Sequence, residues 1–242
     1  MVTLAAKLSA DVGNGLSFGS DNGLYGQALA APPRSGSFGI SLDNSEVAAG
    51  QSWIYAQPTA GNNGALYGPL NNGGAVVWPV SVARAARLTA AWQSIQTAGA
   101  GSTIYNSLFA ADPATGLPAG KINDWFTVAG GTAGATAATV LDAVTVLQPH
   151  TRYWVLSWVY TTSAYPTVQY RQNATAFVGL LPRAALPTAA AGAYATSGGP
   201  VAYAEASVSY TLRTAAPTAL GITPGSTLLN YCPYTHFQLV NV

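Results

Sequence analysis

The residue types that most often perform catalysis are few in this chain and widely separated. Its two histidines are His150, which follows Pro149 in a turn-like stretch, and His236, which precedes Phe237. No His-x-x-x-His pair, Cys-x-x-Cys pair or carboxylate-rich loop accompanies them. Local signatures of zinc and calcium sites are therefore missing from the sequence, and we predict no metal site and no cofactor.

Carboxylates could still act as a pair, as in a glycosidase, where two of them face each other across a sugar. The region after residue 100 offers Asp112, Asp124, Asp142 and Glu205. Asp112 precedes a proline and is typical of a turn, and we expect Asp142 and Glu205 to be exposed on strands. The one Gly-x-Ser-x-Gly match, at residues 15–19, lies in a stretch rich in Gly and Asn with few apolar residues, and not on the sharp strand-to-helix turn that this nucleophile motif requires. We predict no catalytic residue, and hence a protein that is not an enzyme.

Aromatic side chains offer binding without catalysis. Tyr160, Tyr165 and Tyr170 flank the short loop 161–166, and their rings could stack on the sugars of a host-surface polysaccharide. An alternative for Tyr165 is that it covers the edge of the core or contacts another subunit. We expect Trp154 and Trp158 to be core residues.

The composition is unusual because charged side chains make up 7% of the 242 residues, against about 25% in ordinary soluble domains. The net charge is +1 and the charges are scattered singly, which argues against binding to nucleic acid. No apolar stretch reaches the roughly 18 residues that predict membrane insertion. Burial in an assembly and a neutral external surface remain as explanations. The single cysteine, Cys232, cannot form an internal disulfide, and we expect it to be a small buried residue.

Hydrophobic periodicity predicts strands. Along residues 153–160, a period of two places Trp154 and Trp158 on one face and Tyr153 and Val155 on the other. Both faces are apolar, so we expect a central strand that is packed on both sides. Around residues 87–92 the same period predicts that Leu88 and Trp92 share a strand face. A short helix over residues 83–94 is the alternative.

Turn residues separate the apolar runs. Asn-Gly clusters at residues 61–64 and 71–74 and the stretches 111–120 and 148–150 predict turns. Further apolar runs occupy residues 122–128, 138–147, 168–170, 176–181, 206–212 and 236–240. About nine to twelve short strands at this spacing predict an all-β fold, an antiparallel β-sandwich or jelly roll over residues 37–242.

Residues 1–36 form a separate extended segment with Gly and Asn turns and few apolar residues. Such a segment cannot build its own core, so we expect it to become ordered against a neighbouring chain. Lys7 interrupts the first apolar run, and we therefore expect no secretion signal. An external protein without an export signal suggests release by cell lysis.

Two stretches resemble virion proteins of tailed bacteriophages. The first, LSADVGNGLSFGSDNGLYG, is similar to a segment that recurs in phage tail and fibre proteins. The residues that match it are Leu8, Ser9, Ala10, Asp11, Gly13, Asn14, Leu16, Gly19, Asp21, Gly23, Leu24 and Tyr25. The second, LFAADPATGLPAGKI followed by LQPHTRYWVLSWV, resembles sandwich domains with a GLPG turn and an L-PG-YWLAL strand. Ala119 interrupts the first of these patterns, and His150 replaces the usual glycine of the other.

The resemblance implies a structural component of a tailed-phage particle, such as a homotrimeric tail fibre or tail-tip protein on the virion exterior. The N-terminal segment would bind other virion proteins and its own copies through Leu8, Asp11, Asn14, Leu16, Leu24 and Tyr25. Two alternatives stay open. One is a decoration or head-fibre protein on the capsid, and the other is a free protein that binds or cleaves carbohydrate.

Overall fold

The computed structural model describes residues 16–18, 24–26, 40–42, 44–55, 63–66, 73–172, 202–206, 209–210, 212–229 and 231–242. The chain divides into two compact units, Met1–Arg34 and Ser35–Val242, whereas the sequence pattern places the boundary after residue 36. All regular secondary structure among the described residues is β-strand. The all-β prediction is therefore confirmed.

The first unit contains a short antiparallel hairpin. Strand β1 (Leu16–Phe18) pairs with β2 (Leu24–Gly26), and Ser17 lies opposite Tyr25. Leu16, Leu24 and Tyr25 of the expected attachment segment therefore belong to this hairpin. Leu8, Asp11 and Asn14 lie outside the described residues.

The described part of the second unit contains fifteen strands that form two layers. Their bounds are β3 Ile40–Leu42, β4 Ser52–Tyr55, β5 Asn63–Leu66, β6 Ala75–Val82, β7 Ala86–Thr97, β8 Thr103–Ala111, β9 Pro118–Ala129, β10 Gly134–Val140, β11 Val146–Leu147, β12 Tyr153–Tyr160, β13 Thr167–Gln172, β14 Ala202–Glu205, β15 Leu228–Leu229, β16 Tyr231–Pro233 and β17 Thr235–Asn241.

The first layer, the β12 sheet, has the order β15-β14-β6-β12-β8-β9, with β3 parallel to β6. The second, the β7 sheet, places β17 and β13 along β7, β4 beyond β17, and β5 and β16 beside β13. Strand β11 pairs with β7 as well. Strand β10 joins the layers, because Gly134–Ala137 pairs with β7 and Ala138–Val140 pairs with β9.

The two sheets face each other across an apolar interior, the sandwich core. Phe237 of β17 contacts three aromatic rings of the β12 sheet, with centroids 6.0 Å from Trp78, 5.5 Å from Trp125 and 6.2 Å from Phe126. All four side chains are fully buried. These contacts across the layers confirm a sandwich-like fold.

Strand β12 is packed on both faces, as its sequence predicts. Tyr153 and Val155 belong to the sandwich core, whereas Trp154 and Trp158 belong to a second cluster on the other face of the same sheet. We call this second cluster the outer core. It comprises Ala75, Val77, Phe109, Leu117, Trp154, Leu156, Trp158, Tyr203, Tyr210, Ala216 and Ile222. Residues of the C-terminal segment therefore cover the outer face of the β12 sheet.

Strand β7 carries a β-bulge that the sequence pattern does not reveal. Leu88 pairs with Leu239 and Ala90 with Gln238, so Thr89 is an extra residue. An extra residue reverses the alternation of faces. Leu88 and Ala91 are both buried in the sandwich core, while Trp92 is half-buried. The prediction that Leu88 and Trp92 share a face is wrong, and so is the helix alternative for residues 83–94.

Two predicted segments of irregular or extended chain need correction. The residues Asn63 and Gly64, expected in a turn, begin β5 and pair with β13. The run 206–212, expected as a strand, is not a strand at Ala206, Ser209, Tyr210 or Leu212. The run 176–181 lies outside the described residues. The expected turn at 71–74 is confirmed at Gly73, whose φ is 73°.

The turn at residues 112–116 is hydrogen-bonded to the beginning of β12 and the residue before it. Asp112 accepts hydrogen bonds from the amides of Ala114 (2.9 Å) and Thr115 (2.7 Å), which forms the expected turn. The Gly116 carbonyl then accepts hydrogen bonds from Arg152 (3.2 Å) and from the indole of Trp154 (3.1 Å). The turn before β9 and the first residues of β12 are thus one connected unit.

His150 occupies a backbone conformation that favours glycine. Its φ is 53°, which makes it the one non-glycine residue with positive φ among those described. A residue without a Cβ atom adopts this conformation with little strain, so glycine, the residue expected here from the resemblance, would fit this position.

A chain of polar side chains crosses the sandwich core. The indole of Trp78 donates to Ser157 (3.0 Å), Ser157 donates to the Asn106 carbonyl (2.7 Å), and the Gln93 amide donates to the Asn106 carbonyl (3.3 Å) and to Thr235 (3.2 Å). The first three residues belong to the β12 sheet and the last two to the β7 sheet. Buried polar groups of this kind favour one register between the two layers.

Candidate functional site

The three tyrosines proposed for glycan contact do not form one surface. Tyr160 lies at the end of β12 on the outer-core side, with its ring edge-on to Tyr105 at 6.4 Å. Tyr165 and Tyr170 pack instead against the sandwich core, and the Tyr170 ring lies 5.2 Å from Tyr231. Of the three, Tyr160 alone borders the outer face of the β12 sheet.

The loop that carries Tyr165, residues 161–166, is held close to the loop between β7 and β8. Ser163 donates a hydrogen bond to the Ala100 carbonyl (2.8 Å), and Thr161 donates to the Ala164 carbonyl (2.9 Å). A Cβ atom at Gly99 would overlap the backbone of Tyr165 and Pro166, so only glycine permits this approach. Tyr165 thus lies at the edge of the core, which was the alternative expectation.

An open cleft of about 570 Å³ lies in the C-terminal segment that covers the outer core. Its described lining consists of Ser209, Leu212, Arg213, Thr214 and Ala215. We call it the Arg213 cleft. The cleft is widely open to solvent, so a bound molecule would remain partly exposed.

Aromatic side chains of the β12 sheet fix the backbone of this cleft. The Trp158 indole donates to the Arg213 carbonyl at 2.7 Å, and the Tyr210 ring lies 5.8 Å from the Trp158 ring. Tyr105 stacks on Trp158, with a centroid distance of 5.2 Å and an angle of 14°. The Tyr210 amide donates to the Gly73 carbonyl at 2.7 Å. The cleft is therefore built on a rigid sheet, although its own residues are irregular.

Two charged side chains, Arg213 and Glu205, lie near the Tyr210 hydroxyl at the cleft. The Arg213 guanidinium lies over the Tyr210 ring, 5.9 Å from its centroid. Burial raises the pKa of the Tyr210 hydroxyl, and the nearby charge of Glu205 raises it further, while Arg213 opposes the shift. The hydroxyl is neutral at ordinary pH and, although buried, has no hydrogen-bond partner among the described residues.

Glu205 lies beneath this region and not on the surface. Its side chain is 2% exposed, and its carboxylate accepts a hydrogen bond from the Gly221 amide at 3.0 Å. The expectation of an exposed strand residue is wrong, because the C-terminal segment folds back over the end of β14.

Asp142 is also buried, at 7% exposure, in a turn after β10. Burial alone would raise the pKa of its carboxyl, but hydrogen bonds from Thr145, Asn123 and Val144 hold the pKa below its usual range. The expectation of an exposed strand residue is wrong here too. This carboxylate stabilises a turn.

The other sequence candidates have separate partners. Asp124 forms an ion pair with Lys121 at 2.8 Å, and His236 contacts the ring of Tyr234 at 4.7 Å. Among the described residues no three His, Cys, Asp or Glu side chains converge as a metal site would require. No described helix has the length and hydrophobicity to cross a membrane.

The core predictions agree with the structure. Trp154 and Trp158 are fully buried, and Cys232 is a free, buried cysteine at 3% exposure.

The Arg213 cleft itself was not predictable from periodicity. The segment around Ser209 and Leu212 has an apolar pattern that suggests a strand. A signal against that assignment follows at once in TAAPTALGITPGS, where prolines and glycines recur every few residues. That density of turn residues indicates an irregular segment, and irregular segments on a rigid sheet commonly carry binding sites.

Comparison with known proteins gives no family. No known protein family matches the sequence, and no curated protein matches it. Among solved structures, the chain is similar to the clostridial cysteine protease Cwp84 in its form after propeptide cleavage, with 8% identity and a TM-score of 0.45 over 79% of this chain. A structure of the cysteine protease and lectin-like domains of Cwp84 from Clostridium difficile gives 8% identity and a TM-score of 0.37 over 71%. The aligned part spans 40% and 33% of those chains.

Proposed function

We propose that this protein is a non-enzymatic structural component of a tailed-phage particle, a homotrimeric tail fibre or tail-tip protein on the virion exterior. The observation that carries the proposal is the pair of stretches that resemble phage virion proteins. The two parts of the sandwich stretch, around Gly116 and Trp154, are hydrogen-bonded to each other, so the resemblance covers one physical unit of the fold.

The charge content supports a place in an assembly. With 7% charged residues, this chain carries few groups whose desolvation would oppose burial between subunits. Large apolar side chains are also exposed on the sandwich, and Ile54, Leu141 and Val144 have exposures of 65%, 52% and 78%. Single exposed apolar residues are ordinary, but their combination with so few charges favours subunit contacts.

The N-terminal unit supports a role in attachment. An isolated two-stranded hairpin is marginally stable in water, and here each strand has three residues. The hairpin that contains Leu16 and Tyr25 would gain stability by packing on other virion proteins or on copies of itself. The proposed contact with virion proteins or with other copies would also include Leu8, Asp11, Asn14 and Leu24.

A capsid decoration or head-fibre protein is the second candidate. It needs the same attachment segment and the same neutral outer domain. Antibody labelling of intact particles distinguishes the two, since label on the head favours decoration and label on the tail favours a fibre.

A carbohydrate-binding protein is a further candidate, favoured by the Arg213 cleft. Tyr160 and Tyr105 are half-buried, and they lie on the same sheet face as Trp158, which supports the cleft. A glycan-cleaving protein is its enzymatic variant. Depolymerisation of a polysaccharide that is lost in Asp124→Asn or Asp142→Asn would overturn the non-enzymatic assignment.

Light scattering on the full chain tests the trimer. We expect a molar mass three times the monomer mass of 24.7 kDa, about 74 kDa. Leu16→Asp with Leu24→Asp should convert the trimer to a monomer, because charge on the hairpin opposes its burial. The matched control is Val242→Asp, a change at another apolar residue that is exposed on the sandwich. A compact monomer for the unaltered chain would argue strongly against a fibre.

A further inference from the structure

We infer that the Arg213 cleft binds an acidic saccharide, with a sugar carboxylate on the Arg213 guanidinium. The inference rests on the host-surface contact in the proposed function and names its ligand class. It moves the proposed glycan contact away from Tyr165 and Tyr170, which pack on the sandwich core.

The backbone of the cleft is fixed at two of its described residues. Its backbone is held by the hydrogen bond from Trp158 to the Arg213 carbonyl and by the turn in which the Arg213 amide donates to the Tyr210 carbonyl at 3.1 Å. Trp158 and Tyr210 are fully buried in the outer core. A ligand would therefore meet a backbone that is already fixed at Tyr210 and Arg213, which reduces the entropy that binding normally loses.

The charge of the cleft selects a single anionic group. The one ion pair between described residues joins Lys121 and Asp124, so Arg213 has no carboxylate partner within ion-pair distance in the described part of the chain. A guanidinium presents a fork of N–H donors that matches a carboxylate. One cation suits one carboxylate, whereas a polyphosphate or nucleic acid would need several.

The rest of the lining favours a sugar over a simpler anion. The hydroxyl groups of Ser209 and Thr214 can donate to and accept from sugar hydroxyls. Leu212, which is 70% exposed, and Ala215 offer apolar contact for a ring face. The cleft is open to solvent, so the remainder of a long polysaccharide can extend beyond it. Tyr105 and Tyr160 on the adjacent sheet face could contact the next sugar unit.

The test uses the full-length protein and matched pairs of polysaccharides. Alginate, polygalacturonate and hyaluronan are immobilised, each beside its carboxyl-reduced form, and binding is measured by biolayer interferometry. We expect binding to at least one acidic form and at least tenfold weaker binding to its reduced form. Arg213→Gln should weaken binding by about 10- to 100-fold, as expected for a lost charge-assisted hydrogen-bond pair. Arg213→Lys should fall between the two.

The control variant is Arg87→Gln, which removes an equal charge from an exposed position on β7 in the other sheet. It should bind like the unaltered protein, and circular dichroism should show that both variants are folded. Equal binding to the acidic and reduced forms, equal loss in Arg87→Gln, or no binding to any of the three acids would overturn the inference. None of these results bears on whether the protein is part of a particle, since particle labelling measures that separately.

Discussion

The most informative perturbation of the fold is the removal of one amide side chain, that of Asn44. Asn44 is 1% exposed and its side chain makes four hydrogen bonds. Its carbonyl accepts from the amides of Ala83 (2.9 Å) and Arg84 (2.8 Å), and its amide donates to the Arg84 carbonyl (3.0 Å) and to Asn241 (2.7 Å). These bonds connect the segment after β3, the β6–β7 turn and the last residue of β17.

Asn241 completes the same network. Its side-chain carbonyl also accepts from the Trp53 indole at 2.8 Å, and its amide donates to the Val47 carbonyl at 2.6 Å. A buried hydrogen bond contributes about 1 kcal/mol net, within a range of roughly 0.5–1.5. Four such bonds predict that Asn44→Ala lowers the free energy of unfolding by about 4 kcal/mol. That is a large share of the roughly 5–15 kcal/mol that stabilises a typical domain.

Urea denaturation followed by tryptophan fluorescence measures this loss. Because the two asparagines share partners, Asn44→Ala with Asn241→Ala should lose about 1–2 kcal/mol less than the sum of the single losses. The control is Thr89→Ala, which removes one exposed hydrogen bond to the Gln238 carbonyl and should change stability by less than about 0.5 kcal/mol. A loss below about 1 kcal/mol for Asn44→Ala would refute the reasoning, since four intact hydrogen bonds on a side chain that is 1% exposed should contribute more.

Three further predictions concern other parts of the sandwich. His150→Gly should hold or raise the melting temperature, whereas His150→Val should lower stability by about 1–2 kcal/mol, because a β-branched residue resists positive φ; calorimetry of both variants checks this. Burial lowers the pKa of His236. The contribution of His236 to the free energy of unfolding is therefore full above about pH 6.5 and declines as the pH falls toward its folded-state pKa. The lowered pKa of Asp142 adds a second decline in the free energy of unfolding below about pH 3.8. His236→Phe should abolish the first decline in a pH series of melting curves, and a decline that persists would contradict this cause. An ordered water should bind the Gln93 carbonyl and the Asn106 amide, which are buried without partners among the described residues; a high-resolution crystal structure with no density there would contradict this.

The parts of the fold that the sequence predicts are those set by local patterns. The two apolar faces of Trp154 and Tyr153 follow from a period of two, and the Asp112 turn follows from a side chain that bonds amides two and three residues later. Such features depend on neighbours in the chain. They are therefore visible before any tertiary contact is known.

The parts that the sequence did not predict depend on distant partners. The bulge at Thr89 exists because β17 pairs with both sides of it. Glu205 is covered by the C-terminal segment, in which Gly221, sixteen residues later, donates a hydrogen bond to its carboxylate. Asn44 and Asn241 are separated by 197 positions, and nothing in either local sequence indicates that they meet.

The sequence analysis pointed to loop tyrosines and did not predict the Arg213 cleft. Tyr160 lies on the sheet face that the C-terminal segment covers, but the cation and hydroxyl groups of the cleft come from a segment whose apolar pattern suggested a strand. A cleft on an irregular segment is defined by how that segment lies on the sheet, which periodicity cannot show.

Immunogold labelling of particles tests the central proposal most directly. Antibody against the full-length chain would be applied to intact tailed particles purified from a lysate that contains this protein, and the label would be located by electron microscopy. The proposal of a virion component predicts label at one fixed position on every particle, at the tail or on the head. Particles without label, with all of the protein free in the lysate, would contradict it.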